Sequence, residues 1–270
     1  MLEGRFVQGV LLKKLVLAIK DLVSEGSLMC DGNGISLQCM DSSHVSLCVM
    51  LLKQPAFELY RCDRSVTLGL NFGSLNKILK CSDADDVITL KADDGNTNRG
   101  AGGDSLTILC EATSGDRVSE YNLRLLDFDA ELLNIPDTDY DVVLSMPSRE
   151  FEKICKDLAM VGDSITMTCS KEGVKCSASG DIMKGNISIK QRASSGKERD
   201  DSVTLEFSQG LQLSFALRYL MLFANATPLS PRVTLSLSKT MPLMVHYNLG
   251  AAGDSGHLRY FLAPKLENDE

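Results

Sequence analysis

The sequence predicts an α+β fold, with antiparallel sheets and helices arranged in two similar domains, and three observations carry that prediction. Short strand-like runs at hairpin spacing dominate the chain, and four isolated helical patterns are each followed by several such runs. The chain also repeats itself. Leu75-Asn76-Lys77-Ile78-Leu79-Lys80 and Phe151-Glu152-Lys153-Ile154-Cys155-Lys156 both read apolar, polar, Lys, Ile, apolar, Lys, and each leads through an acidic turn into a strand-like run, Val87 to Leu90 and Ile165 to Cys169. A repeat near half the chain indicates a duplicated domain and not a solenoid. Between the copies lies Leu125 to Tyr140, LLDFDAELLNIPDTDY, which carries Asp127, Asp129, Glu131, Asp137 and Asp139 and no basic residue. Pro136 pushes Ile135 towards extended geometry. Alternating charge and apolarity around a proline makes a poor helix and a poor central strand, so this stretch reads as an extended connector. Leu132, Leu133 and Ile135 are too apolar for a bare linker; part of it should lie on a surface or receive a partner. The expected organisation is a domain over 1–125, a connector over 126–140 and a second domain over 141–270.

A length of 270 residues suits one large or two ordinary domains. The net charge of −8 argues against a globally basic nucleic-acid binder and leaves only a local basic stripe as a route to DNA. Nine cysteines, odd in number and without a CxxC pair, mostly occupy apolar strand-like runs, so they read as reduced, buried thiols of a cytosolic or nuclear protein. The first ten residues lack a basic-then-apolar leader, and no uncharged apolar run approaches about 18 residues, so no membrane span is expected. His44, His246 and His257 show no metal-ligand spacing, and no cofactor is implied. The sequons at Asn186 and Asn225 read as chance matches without a secretory signal.

Taken in order, Val10 to Val23 is the first helix, with Leu11, Leu15, Ile19 and Leu22 as its buried stripe and Lys13, Lys14 and Lys20 elsewhere on the cylinder. Two strands follow within Ser27 to Met40, about the turn signal Asp31-Gly32-Asn33-Gly34. Val45 to Leu52 is a strand after a polar loop. Ser74 to Cys81 is the second helix, with Ser74 as N-cap, Leu75, Ile78 and Leu79 inward, and Lys77 and Lys80 on the other face. Strands are expected at Val87 to Ala92, Ser105 to Ala112 and Val118 to Leu125, around a glycine-rich loop at 93–104 that lacks the Lys-Ser/Thr ending of a phosphate cradle. Past the connector come a strand at Val142 to Met146 and a third helix opened by Pro147-Ser148. That helix turns Phe151, Ile154, Cys155 and Leu158 inward and Lys153 and Lys156 outward. Strands at Ile165 to Ser170, Val174 to Ser179, Asn186 to Gln191 and Val203 to Phe207 enclose a charged loop at 192–201. The fourth helix spans Leu213 to Ala226 with Arg218 its one clear cation, and strands close the chain at Arg232 to Ser238, Leu243 to Asn248 and Leu258 to Leu262.

All four helices therefore set basic residues opposite a buried stripe in an otherwise acidic protein. Singly, each lysine is an ordinary solvated surface group. If the sheets form an outer wall and the helices face one way, however, the inner face is basic, which suits a phosphate backbone and gives no base readout. A rival reading, metal-dependent phosphodiester cleavage by Asp83, Asp85 and Asp86, places its acids in a turn without a supporting His or Lys pattern.

Five strings carry a more specific signal: Leu37-Gln-Cys-Met-Asp-Ser-Ser-His-Val-Ser-Leu47, Tyr60-Arg-Cys-Asp-Arg64, Lys77-Ile-Leu-Lys-Cys81, Phe215-Ala-Leu-Arg-Tyr-Leu220 and Leu262-Ala-Pro-Lys265. Through them the chain resembles, end to end, the proliferating cell nuclear antigen (PCNA) family of eukaryotic sliding clamps. The resemblance implies the DNA clamp fold: two similar domains, each with antiparallel sheets outside and two helices on the inner face, closing as a homotrimeric ring around duplex DNA. It implies a nuclear, non-enzymatic processivity factor for replicative DNA polymerase. It also implies a platform for the clamp loader, flap endonuclease, DNA ligase and other replication and repair proteins bearing a PCNA-interacting peptide; the alternative is a subunit of a heterotrimeric checkpoint clamp. The DNA-facing cations would be Lys13, Lys14, Lys20, Lys77, Lys80, Arg117, Lys153, Lys156 and Arg218. The peptide pocket would comprise Met40, His44, Val45, Leu47, Leu133, Ile135, Pro242, Phe261, Ala263, Pro264 and Leu266. Tyr121 would lie at the subunit interface, where Val118 to Leu125 meets the strand near Ile182 to Lys190 of a neighbour, and Lys171 would be the modifiable lysine. Phe261 stands where the family usually has tyrosine, Met241 replaces a smaller apolar residue, and Asn225 stands where a basic residue is common. The loops at 93–104, 192–201 and 250–256 are longer than usual.

Overall fold

The computed structural model describes residues 1–7, 9–92, 105–127, 133–135, 139–192, 201–250 and 253–265. The chain divides into two compact units. One comprises Met1–Ser42, Cys48–Leu133 and Asn248–Leu258; the other comprises Ser43–Leu47, Asn134–Tyr247 and Arg259–Glu270.

The first half of the chain runs β1 (Leu2–Phe6), α1 (Val10–Ile19), β2 (Glu25–Asp31), β3 (Gly34–Met40), β4 (Ser46–Lys53), β5 (Leu59–Cys62), β6 (Val66–Asn71), α2 (Phe72–Leu79), β7 (Val87–Ala92), β8 (Ser105–Glu111) and β9 (Val118–Arg124). The second half runs β10 (Val142–Pro147), α3 (Ser148–Ala159), β11 (Ser164–Ser170), β12 (Gly173–Ser179), β13 (Lys184–Ile189), β14 (Thr204–Phe207), β15 (Leu211–Ala216), α4 (Leu217–Ala224), β16 (Arg232–Leu237), β17 (Leu243–Leu249) and β18 (Gly256–Leu262). The strand orders repeat with an offset of nine. The order β5-β1-β7-β8-β9 has its counterpart in β14-β10-β16-β17-β18, and β4-β3-β2-β6 has its counterpart in β13-β12-β11-β15. Helix α1 packs on α2, and α3 on α4. The duplication read from two lysine strings thus extends to every element.

Two glycines mark the same hairpin in each half. Asp31 Oδ1 accepts from Asn33 N at 2.7 Å and Gly34 N at 3.2 Å, closing the turn between β2 and β3. Gly34 sits at φ +148, and a Cβ there would meet the Leu52 carbonyl oxygen at 1.9 Å. Gly173, at φ +146, opens β12 and would meet the Ile189 carbonyl oxygen at 2.2 Å. Both positions need the left-handed freedom and the small volume that glycine alone combines.

Four sequence-based assignments are corrected. First, Leu2–Phe6 forms a strand, β1, ahead of the expected first element. Leu2, Gly4 and Phe6 turn inward while Glu3 and Arg5 alternate outward, and β1 lies between β5 and β7. Second, α1 stops at Ile19 and not at Val23, because Leu22 N and Val23 N both turn back to the Ile19 carbonyl before β2. Its stripe is Leu12, Leu15, Val16, Ala18 and Ile19, whereas Leu11 is half-buried and Leu22 is buried beyond the helix end. Third, the N-cap of α2 is Asn71, whose Oδ1 accepts from Ser74 N at 2.8 Å, so the helix begins at Phe72. Fourth, the apolar run expected as one helix from Leu213 is a strand and then a helix. Leu211–Ala216 pairs along β11 from Cys169↔Leu211 to Ser164↔Ala216, and the eight-residue α4 follows. The helical faces of α3 lie as expected, with Phe151, Ile154, Cys155 and Leu158 buried.

Candidate nucleic-acid interface and partner site

The predicted cations divide into open and occupied groups. On α2, burial of Phe72, Leu75 and Leu79 leaves Lys77 and Lys80 exposed. On α3, Lys153 and Lys156 stand opposite the buried face, and Lys156 pairs with Glu152 one turn away. Such an exposed pair is worth well under about 1 kcal/mol and yields readily to a phosphate. Arg218 is exposed on α4, its guanidinium 4.8 Å from the Tyr219 ring centroid. On α1, Lys14 is half-buried and Lys20 contacts Asp21 at 2.5 Å. Lys13 has a different task. Its ammonium donates to the carbonyls of Ser82 and of Asp83, the latter at 2.8 Å, and so ties α1 to the turn after α2. Arg117 is likewise engaged, 3.3 Å from Asp83 and 3.7 Å from Asp86. Asp86 is buried and accepts from Asp83 N at 2.8 Å, so one of the three clustered acids shapes its own turn.

Two further cations had no signal in the repeat. Arg149 is exposed in the first turn of α3. Lys265 shares with Arg218 an open cleft of about 560 Å³ that is also lined by Asp163, Leu217 and Met221. Lys265 N donates to the Ser214 carbonyl at 2.7 Å, and its ammonium reaches Ser164 Oγ.

The predicted pocket residues fall in both units, and each group is described within its own. In the first, Met40 ends β3 half-buried. Leu133 is 45% exposed, yet its backbone is held on both sides by Gln38: Gln38 Nε2 donates to Leu133 O at 2.8 Å and Leu133 N donates to Gln38 Oε1 at 3.0 Å. The segment is also fixed at its start, where Leu126 N donates to Gly69 O at 2.9 Å. In the second unit, His44 is exposed at φ +55, the one non-glycine residue with positive φ among the described residues, and turns the chain into β4. Val45 O accepts from Ala263 N at 3.1 Å, which brings the loop and the C-terminal Ala-Pro together. Leu47 and Phe261 are buried, Pro242, Pro264 and Ile135 are half-buried, and Ala263 is exposed. Leu266 lies outside the described residues, as do Leu132 and Pro136 of the connector, the loop at 93–104, and residues 193–200 and 251–252 of the other two loops.

Tyr121 sits half-buried at the middle of β9, opposite Ile108 of β8. Strand β9 ends its five-stranded sheet, and β13 ends its four-stranded sheet. Ile182 beside β13 and Val118 at the start of β9 are 91% and 64% exposed. Lys171 is exposed in the hairpin turn between β11 and β12, where Ser170 Oγ accepts from Glu172 N at 3.3 Å. All nine cysteines are free thiols and six are buried; burial raises Cys169 to about 11 and Cys176 to about 12, so both stay protonated and unreactive at neutral pH.

Comparison with known families covers nearly the whole chain. The family model described as proliferating cell nuclear antigen, N-terminal domain, matches residues 1–132. The one described as proliferating cell nuclear antigen, C-terminal domain, matches residues 134–265.

Proposed function

Because the chain belongs to the proliferating cell nuclear antigen family and is a DNA sliding clamp, we propose that three copies close head to tail into a ring through β9 of one copy and β13 of the next. The observation that supports this reading is the offset of nine in strand order. The counterparts of β9 and β13 are β18 and β4, and these two are neighbours in sheet order. The same adjacency is left open at β9 and β13 within one chain. Unpaired edges invite pairing, and a contact between unlike edges generates a closed ring when the rotation closes. Duplex DNA then threads the ring, held by Lys77, Lys80, Lys153, Lys156 and Arg218, with Lys14, Lys20, Arg149 and Lys265 in support. Lys13 and Arg117 contribute through structure more than through free charge.

The clamp acts in replication and repair by tethering other proteins. The proposed clients are the replicative polymerase, clamp loader, flap endonuclease and ligase of the nucleus. Each docks a peptide with one aliphatic and two aromatic side chains on Met40, His44, Val45, Leu47, Leu133, Ile135, Pro242, Phe261, Ala263, Pro264 and Leu266. The chain itself performs no catalysis, and Lys171 is the position open to modification.

Light scattering on the purified chain tests the assembly. A trimer at micromolar concentration is expected, together with a shift towards monomer on Tyr121→Ala. A wild-type chain that stays monomeric would instead assign it to a mixed ring of the checkpoint type.

A further inference from the structure

We infer that Gln38 is a positioning residue that latches the connector to strand β3 and presents Leu133 to partner peptides. The inference rests on the peptide-site reading above. The geometry is specific. The backbone of Leu133 offers one N–H and one C=O, and the Gln38 side-chain amide satisfies both, at 3.0 Å and 2.8 Å. Two opposed bonds of this kind are what a residue exchanges with its partner in the hydrogen-bonded pairs of an antiparallel ladder. The side chain therefore imitates the N–H and C=O that one residue of a neighbouring strand would offer. The primary amides carry an N–H donor and a C=O acceptor side by side on one planar group, and asparagine is a methylene shorter.

The position of Gln38 links the latch to the site. Ile35 and Leu37 of β3 are buried, while Ser36, Gln38 and Met40 alternate onto the opposite face and are half-buried. Gln38 and Met40 are thus on one side of the strand, about 7 Å apart along it. The latch sets Leu133 beside that row. The other anchor, Leu126 on Gly69, lies on strand β6, whose Gly69 is opposite Ser27 of β2; β2 in turn pairs with β3 through Leu28↔Leu37. Two points of the acidic segment are thereby held on neighbouring strands, Leu126 by a backbone bond to β6 and Leu133 by the Gln38 side chain of β3.

Fixing the backbone leaves the Leu133 side chain free to act as an anchor, which accounts for a large apolar group that stays 45% exposed on a tethered chain. It also removes an ordering cost from the binding step. A peptide that meets a connector already in place binds at its intrinsic affinity, whereas a connector in place only a fraction of the time weakens the apparent affinity by that fraction.

The test compares wild type with Gln38→Ala and Gln38→Glu, using a fluorescent peptide that carries one aliphatic and two aromatic residues in a single helical turn, and hydrogen exchange of the Leu133 amide in the peptide-free protein. Gln38→Ala should speed Leu133 exchange and weaken peptide binding, each by about tenfold, the size expected from two solvent-exposed hydrogen bonds. Gln38→Glu keeps the acceptor for Leu133 N but turns a carboxylate towards the Leu133 carbonyl, so it should not restore affinity. The thermal midpoint should fall by no more than a few degrees in either variant. Unchanged exchange in Gln38→Ala overturns the latch. Faster exchange with unaltered peptide affinity overturns its positioning role. A wild-type protein that protects Leu133 yet binds no such peptide overturns the peptide-site reading and leaves the latch in place, so the two failures are distinguishable.

Discussion

At the scale of single residues, the side chains that hold this protein together are often those whose partners lie far away in sequence. Asp141 closes the connector. Its Oδ1 accepts from Gln209 Nε2 at 2.6 Å, and its Oδ2 accepts from Ser238 Oγ at 2.9 Å and Lys239 N at 3.2 Å. Its carbonyl accepts from Ser208 N at 2.9 Å. The Gln209 amide and then the Ser238 hydroxyl hold the carboxyl below its ordinary value. The folded value lies below that of the unfolded chain, about 3.9, so the unfolded chain binds more protons in the interval between them. The contribution of Asp141 is whole above the unfolded value and disappears as pH falls through the folded one. Asp141→Asn should therefore be less stable than wild type in urea at pH about 7, with the gap closing as pH drops from about 5 towards 2. A gap that stays constant over that range would mean that the charge on Asp141 is not what its donors recognise. None of this was legible in the sequence, where Asp141 is one acid in an acidic run. Lys13 was visible as a cation, but its occupation by the Ser82 and Asp83 carbonyls depends on a turn 69 positions away.

At the scale of elements, legibility followed the clarity of the period. Helix α3 was readable to its last buried residue because Phe151, Ile154, Cys155 and Leu158 contrast with charged neighbours. Around Leu211 to Ala224 the apolar residues run together, so a two-residue and a 3.6-residue period fit equally well, and only pairing with β11 separates strand from helix. Ser74 reads as the cap of α2 in the sequence, three residues past the true one. Asn71 is the residue whose extended backbone lets its side chain reach Ser74 N. Asn71→Ala should therefore lower unfolding stability by about 1 kcal/mol, measured by chemical denaturation, and Ser74→Ala should cost much less. Equal losses would return the cap to Ser74. The candidate site was legible to the extent that it is local: the His44–Leu47 string and the terminal Ala263-Pro264 lie in short motifs. The clasp of Leu133 by Gln38 spans 95 positions and leaves no periodic trace.

At the scale of the whole molecule, a chain with net charge −8 must hold a polyanion without being attracted to it overall. Under the proposed DNA-facing reading, exposed lysines on helices of both halves would resolve this, because screening limits each charge to about a Debye length, near 10 Å at 0.1 M salt. Lys77 and Lys153 occupy matching places in the two repeats, so a trimer would carry each three times around one hole. Each phosphate neutralised contributes about 0.9 to the slope of log affinity against log salt. Reversing both lysines to glutamate should therefore lower that slope by as much as about 5 if all six engage the duplex. Loading should fall in parallel, while trimer mass and peptide affinity are unaffected. An unchanged slope would remove these two helices from the DNA-facing surface. Encirclement is a separate matter, since a closed ring is retained by topology and not by contact energy. A clamp loaded on circular DNA should survive salt that abolishes direct binding, and should leave when one cut gives the DNA free ends. Retention on the linear molecule at that salt would mean that contacts hold the protein in place, and the ring would then have to be abandoned even if the salt slope behaves as expected.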